Sequence, residues 1–82
     1  SQRWQEGERA QIEAQLGTLT EREREVMACI LAGKLNKVIA DELQIAMRTV
    51  EVHRAHIFEK MGVRSAVELA QRLSLLGSNG SR

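Results

Sequence analysis

Apolar residues recur along this chain at intervals of three and four, and most runs are closed by a glycine or a polar break. That spacing lines one face of an α-helix. The first run is thin: Trp4, Ile12 and Leu16 make a stripe on an otherwise polar helix over 4–16. Gly7 weakens it, and Gly17 is expected to end it in the left-handed conformation. From Thr20 the pattern sharpens. Thr20 and Glu23 have the spacing of a capping box, in which each side chain satisfies a free N–H at the helix start. Val26, Met27, Ile30 and Leu31 form the inward face of a helix that reaches Ala32, with Gly33 just past its end. Cys29 lies beside that stripe and reads as a small hydrophobe. Asn36 is expected to cap a two-turn helix over 37–43 with Ile39, Ala40 and Leu43 inward.

Gln44, Ile45 and Ala46 then make a short break before a longer helix over 47–61, stopped by Gly62. On one side of it lie Val50, Arg54, Ile57 and Met61, flanked by His53 and Phe58. On the other lie Arg48, Glu51, Val52, Ala55 and Glu59. An outward face holding a Val and an Ala suits a surface that must fit a groove better than one that merely meets water. Ser65 and Glu68 mark a second capping box. The helix after it, to about Leu76, turns Leu69, Leu73 and Leu76 inward and Val67, Gln71 and Leu75 outward. A flexible polar tail is expected over 77–82.

The expected fold is therefore all-α. Two short helices separated by about three residues have the spacing of a helix-turn-helix. With 82 residues and only Trp4 and Phe58 as aromatics, there is room for one modest aliphatic core. No apolar stretch is long enough to span a membrane, so no membrane partner is expected. The start SQRWQEGERA has no apolar leader. One cysteine makes no internal disulfide, which fits a reducing, cytoplasmic compartment. A chain starting without Met reads as a piece of a longer protein.

The net charge of +1 by itself argues weakly against a nucleic-acid binder, but its distribution is uneven. Between 34 and 64 stand six cations (Lys34, Lys37, Arg48, Arg54, Lys60 and Arg64) against four anions (Asp41, Glu42, Glu51 and Glu59). The inward position of Arg54 favours an ion pair with Glu23 or Glu25, and a guanidinium has donors left for a phosphate. His56 reads as plain surface. His53 and His56 stand three apart, but two ligands without a third make no metal site. With no Gly-rich phosphate loop and no nucleophile–base pair, the chain is not expected to be an enzyme or to hold a metal or cofactor, and no residue is assigned a catalytic role.

The run LTEREREVMACILAGKLNKVIADELQIAMRTVEVHRAHIFEKMGVRSAVELAQRL, residues 19 to 73, resembles the LuxR-type output domain, closest to the FixJ/NarL branch of two-component response regulators. The resemblance rests on L-T-x-R-E at 19–23, Gly33, N-K at 36–37, I-A at 39–40, Leu43, T-V-x-V-H-R at 49–54, K-M-G at 60–62 and E-L at 68–69. It implies a four-helix LuxR-type helix-turn-helix domain over 19–76, preceded by a linker helix within 1–18 that joins it to a phosphorylatable receiver domain. It also implies sequence-specific binding of double-stranded DNA with the helix over 47–61 in the major groove. Glu51, Val52 and Ala55 fall at base-edge positions, with Arg48 a fourth candidate. Lys34, Asn36, Lys37, Thr49, His53, Arg54 and Lys60 fall at or near backbone-contacting positions. Val67, Gln71 and Leu75 lie on the helix that commonly pairs two copies on DNA, and RNA polymerase is a further candidate partner.

The residue chemistry fits these roles. Lysines neutralise phosphates, a helix start offers free N–H groups to one, a Val meets a thymine methyl, and a carboxylate accepts from cytosine N4. Two positions depart from the pattern. Ala46 stands where the family usually has Ser or Thr, which removes a side-chain cap worth roughly 1 kcal/mol. Glu51 and Ala55 stand where relatives often carry Lys or Arg. Two other readings remain open at this point: a promoter-reading region of the sigma-factor type, and a helical protein-interaction module presenting Val67, Gln71 and Leu75.

Overall fold

The computed structural model describes the backbone over residues 2–80 and the side chains over 7–76. Five helices follow one another: α1 (Gln2–Gly17), α2 (Glu21–Leu31), α3 (Asn36–Leu43), α4 (Met47–Met61) and α5 (Ala66–Gly80). No strand occurs among the described residues. α4 is the central element, packing against α1, α2 and α3, while α5 packs against α1 and α2. Ile12, Leu19, Val26, Ile30, Ile39, Ala40, Val50, Ile57, Met61 and Leu69 form one aliphatic core drawn from every helix.

The helix ends follow the local chemistry. Thr20 Oγ1 accepts from the Glu23 N–H (3.1 Å) and Glu23 Oε1 accepts from the Thr20 N–H (2.9 Å), so the capping box is complete. α2 ends with Gly33 at φ 82°. Gly33 N–H donates to Ile30 O and Lys34 N–H to Cys29 O, the double bond of a left-handed helix stop. Gly62 at φ 69° does the same for α4, with Val63 N–H reaching Phe58 O. The stop of α3 uses no glycine: Gln44 itself adopts φ 57°, and Ile45 N–H reaches Ala40 O. A side chain held there is strained by about 1 kcal/mol relative to glycine.

Several local expectations are corrected. Gly17 is not left-handed; α1 ends by a tightened turn, with Thr18 N–H on Gln15 O and Leu19 N–H on Leu16 O. Asn36 is the first helical residue of α3, and the cap position belongs to Leu35, which offers no acceptor. Leu31 is 43% exposed, because α2 sits on the core through Val26 and Ile30 and its last turn runs past it. At α5, Ser65 Oγ accepts from the Glu68 N–H, but the Glu68 carboxylate reaches the N–H of Arg64 instead of Ser65. α5 also continues to Gly80, past the expected end at Leu76, since no proline interrupts its backbone ladder.

α1 is more than a spacer. Ile12 is fully buried, and Leu16 packs against the core. On the rim of this contact Arg72 donates to Gln15 Oε1 (2.9 Å) and pairs with Glu8 (3.3 Å). Trp4, the first residue of the expected stripe, lies outside the described side chains.

Candidate nucleic-acid interface

The helix-turn-helix is α3, the turn at 44–46 and α4. Val50, Ile57 and Met61 of α4 are fully buried, and Ile39 and Ala40 of α3 are buried too. That seating leaves the opposite face of α4 in the open. Arg48, Glu51, Val52, Ala55 and Glu59 are all exposed, Val52 at 47%. Among the described residues none of Arg48, Glu51 and Glu59 has an ion-pair partner. A near-half-exposed Val between two unneutralised charges on a rigid helix is a surface suited to a polar partner with apolar spots.

The starts of both helices are open as well. Leu35 and Ala46 hold the cap positions in extended backbone, and neither supplies a side-chain acceptor. Among the described residues the first N–H groups of α3 and α4 therefore have no side-chain cap, at the positive ends of two helix dipoles. Lys37 is exposed beside the first of them, with no partner among the described residues. Lys34, in the turn before α3, is tied to Glu42 at 2.7 Å, which holds its ammonium above the ordinary lysine range.

Arg54 does not form the expected ion pair. Its guanidinium lies over the Phe58 ring, 5.3 Å from the centroid, and no carboxylate partners it among the described residues. The two acids it might have met are taken: Glu25 pairs with Arg22 at 3.0 Å, and Glu23 with Lys60 at 2.7 Å. Cation–π contact fixes the guanidinium and leaves its donors unspent.

Lys60 is bound inside the domain. Its ammonium donates to Glu23 Oε1 and to the Thr18 carbonyl oxygen (3.1 Å), joining the last turn of α4 to the start of α2 and to the α1–α2 turn. Glu23 is 4% exposed, and His56 Nδ1 stands 3.6 Å from its other oxygen. Burial pushes this carboxyl up, but the Lys60 hydrogen bond, the Thr20 N–H and the charges of Lys60 and His56 outweigh it and hold Glu23 below its ordinary value. Lys60 and His56 thus partner a buried acid, roles the sequence reading had not given them. A signal was available: Glu23 lies on the same helical stripe as Val26 and Ile30, and a carboxylate on a core stripe needs a cation.

On α5, Val67 is 66% and Leu75 39% exposed, with Gln71 exposed between them. Leu69, Leu73 and Leu76 face the core. Among the described residues no group of three His, Cys, Asp or Glu is placed to hold a metal, and no helix is long and apolar enough to cross a membrane.

Known proteins share this arrangement. Residues 17–73 match the bacterial regulatory proteins of the luxR family. The chain is 49% identical over 69 residues to the transcriptional regulatory protein FixJ of Rhizobium meliloti (strain 1021), covering 84% of this chain and 33% of that protein. It is 57% identical over 49 residues to the C4-dicarboxylate transport transcriptional regulatory protein DctR of Rhodobacter capsulatus, covering 60% and 25%. Among solved structures, full-length FixJ from B. japonicum superposes with a TM-score of 0.81 at 39% identity, over 90% of this chain and 36% of that one. The chain thus spans between 25% and 36% of the length of these relatives, and the two regulators compared by sequence are transcriptional regulatory proteins. With its family match across most of its length and its five helices in that arrangement, the chain belongs to the luxR family of bacterial regulatory proteins and carries that family's helix-turn-helix domain.

Proposed function

We propose that this chain is the output domain of a transcriptional response regulator and binds double-stranded DNA in a sequence-specific way, with α4 in the major groove. The observation that carries the reading is the open face of α4: Arg48, Glu51, Val52 and Ala55 stand exposed beside two uncapped helix starts. Base edges meet these four residues. Val52 takes a thymine methyl and Glu51 a cytosine N4 amine. Phosphates meet Lys37, Arg54, Thr49, His53, the free N–H groups at Asn36, and Lys34 where it can leave Glu42. Lys60 is assigned to the fold instead, because two of its three donors are engaged by Glu23 and Thr18.

The domain comprises 19–76 together with α1, whose Ile12 completes the core. A receiver domain preceding α1, a second copy pairing through Val67, Gln71 and Leu75, and RNA polymerase are its partners in the intact regulator. Two copies related by a two-fold axis would occupy an inverted repeat with half-sites about one helical turn apart.

Selection of bound sites from random duplexes, followed by salt titration, tests this. A steep fall of affinity with salt and a selected inverted repeat are expected. Lys37→Ala should weaken binding to all sequences and lower the salt slope by about one counterion. Glu51→Ala should relax preference at one base pair by about 1–3 kcal/mol. Val67→Glu combined with Leu75→Glu should abolish cooperative filling of two half-sites and spare binding to one. Affinity without salt dependence or sequence preference would overturn the reading in favour of a protein-interaction module.

A further inference from the structure

The described carboxylates fall into two groups. Glu8, Glu13, Glu23, Glu25 and Glu42 each pair with a lysine or arginine at 2.7–3.5 Å. Glu68 accepts the Arg64 N–H, and Glu21 sits in the first turn of α2, where the helix dipole favours an anion. Asp41, Glu51 and Glu59 are exposed and have no such support among the described residues. All three lie on α3 and α4.

Asp41 and Glu59 are the worst placed. Each stands in the last turn of its helix, α3 or α4, where the dipole opposes a negative charge. Glu59 continues the exposed ridge of Glu51 and Ala55 at intervals of four. Asp41 lines one groove with Lys37, Gln44 and Met47, beside the uncapped start of α4. Nothing in the fold accounts for either acid, and both border the face proposed to meet DNA. The charges of the helix-turn-helix cancel as a result. Lys34–Glu42 and Lys60–Glu23 are closed pairs. Leaving the two histidines aside, Lys37, Arg48 and Arg54 then stand without a carboxylate partner against Asp41, Glu51 and Glu59, three of each sign. A surface that only had to hold a polyanion would carry an excess of cations.

We infer that Asp41 and Glu59 are repulsive elements of the DNA interface, which hold the affinity of a single copy low so that an operator is occupied only when two copies bind together. The inference rests on the proposed DNA-binding role and adds its regulation. Both carboxylates act on the phosphate backbone and neither reads a base, so they weaken binding to every sequence alike. Glu51 differs, because a cytosine amine offsets its charge at the right base pair. One copy on a chance sequence leaves quickly, whereas two copies joined through α5 combine their half-site affinities.

The test measures binding of the domain to a random-sequence duplex of about 15 base pairs, which has room for one copy only. Asp41→Asn and Glu59→Gln should each tighten binding about threefold, the size expected of one charge about 8 Å from a phosphate in water, and the double variant about tenfold. The salt dependence should steepen with each charge removed. Glu13→Gln takes the same charge from α1, away from α3 and α4, and should leave the affinity as in the parent. On a duplex carrying one selected half-site, the double variant should bind at concentrations where the parent fills only the complete inverted repeat. Melting temperatures should not fall, since each variant loses a charge that the helix dipole opposes. Unchanged affinity would make the two acids bystanders, an equal gain with Glu13→Gln would make net charge the cause, and a fall in melting temperature would give the acids to the fold. Each of these overturns the inference, as does a parent that fills a lone half-site as readily as the repeat. A parent without salt-dependent binding overturns the DNA-binding reading itself, whereas a steep salt dependence shared unchanged by parent and variants overturns the inference alone.

Discussion

The start of α2 and the starts of α3 and α4 solve one problem in opposite ways. Each helix opens with backbone N–H groups that have no partner inside the helix. At α2, Thr20 and Glu23 satisfy two of them reciprocally, and Glu23 is then buried and held by Lys60. At α3 and α4, Leu35 and Ala46 satisfy nothing. The closed start has the Thr20 and Glu23 N–H groups matched internally and locks α4 against α2. The open starts leave donors and dipole ends available on the surface that also carries Lys37 and Arg48. Within one small domain, the helix that supports is closed and the pair that is proposed to touch DNA is left unfinished.

The largest effect expected from breaking this contrast is at Glu23. Glu23→Ala leaves the Lys60 ammonium with only the Thr18 carbonyl oxygen and the Thr20 N–H without an acceptor, and should cost about 3 kcal/mol in urea unfolding. A loss below about 1 kcal/mol would mean that water replaces the carboxylate, as at ordinary surface pairs. The same group sets an acid limit. Its folded-state pKa lies below the ordinary value, so its contribution is complete above the unfolded value of about 4.3 and is lost as pH falls through the folded value. Melting temperature against pH should therefore drop in that acid range, and Glu23→Gln should flatten this part of the curve. An unchanged curve would assign the acid sensitivity to other carboxylates.

Closing an open start is the converse experiment. Ala46→Ser supplies the missing acceptor and should stabilise the domain by about 1 kcal/mol, read as a rise in melting temperature. No rise would mean that a group other than residue 46 already serves those N–H groups. The smallest expected effect is in the turn between the two helices. Gln44→Gly removes the side chain from a left-handed position, worth up to about 1 kcal/mol, offset in part by the greater freedom of glycine in the unfolded chain. Calorimetry showing a clear loss would mean that the Gln44 side chain contributes packing that its backbone angle does not reveal.

The sequence by itself determined the five helices, the limits of α4 at Met47 and Met61, the complete cap at Thr20 and the stops at Gly33 and Gly62. Each depends on residues within about one turn of one another, so the physics is local and legible in order along the chain. The open face of α4 was legible too, because a helical wheel needs only the period. What tertiary structure decided was which partners meet across the fold. Lys60 found Glu23 thirty-seven residues away, while Arg54 lost both candidate acids and settled on Phe58. Asn36 yielded the cap position to Leu35, Leu31 missed the core, and Ile12 drew the expected linker into it. His53 Nδ1 was buried without a hydrogen-bond partner among the described residues. Such outcomes follow from the angles at which α1, α2 and α4 cross. Many small packing contacts set those angles together, and no single stretch of sequence encodes them.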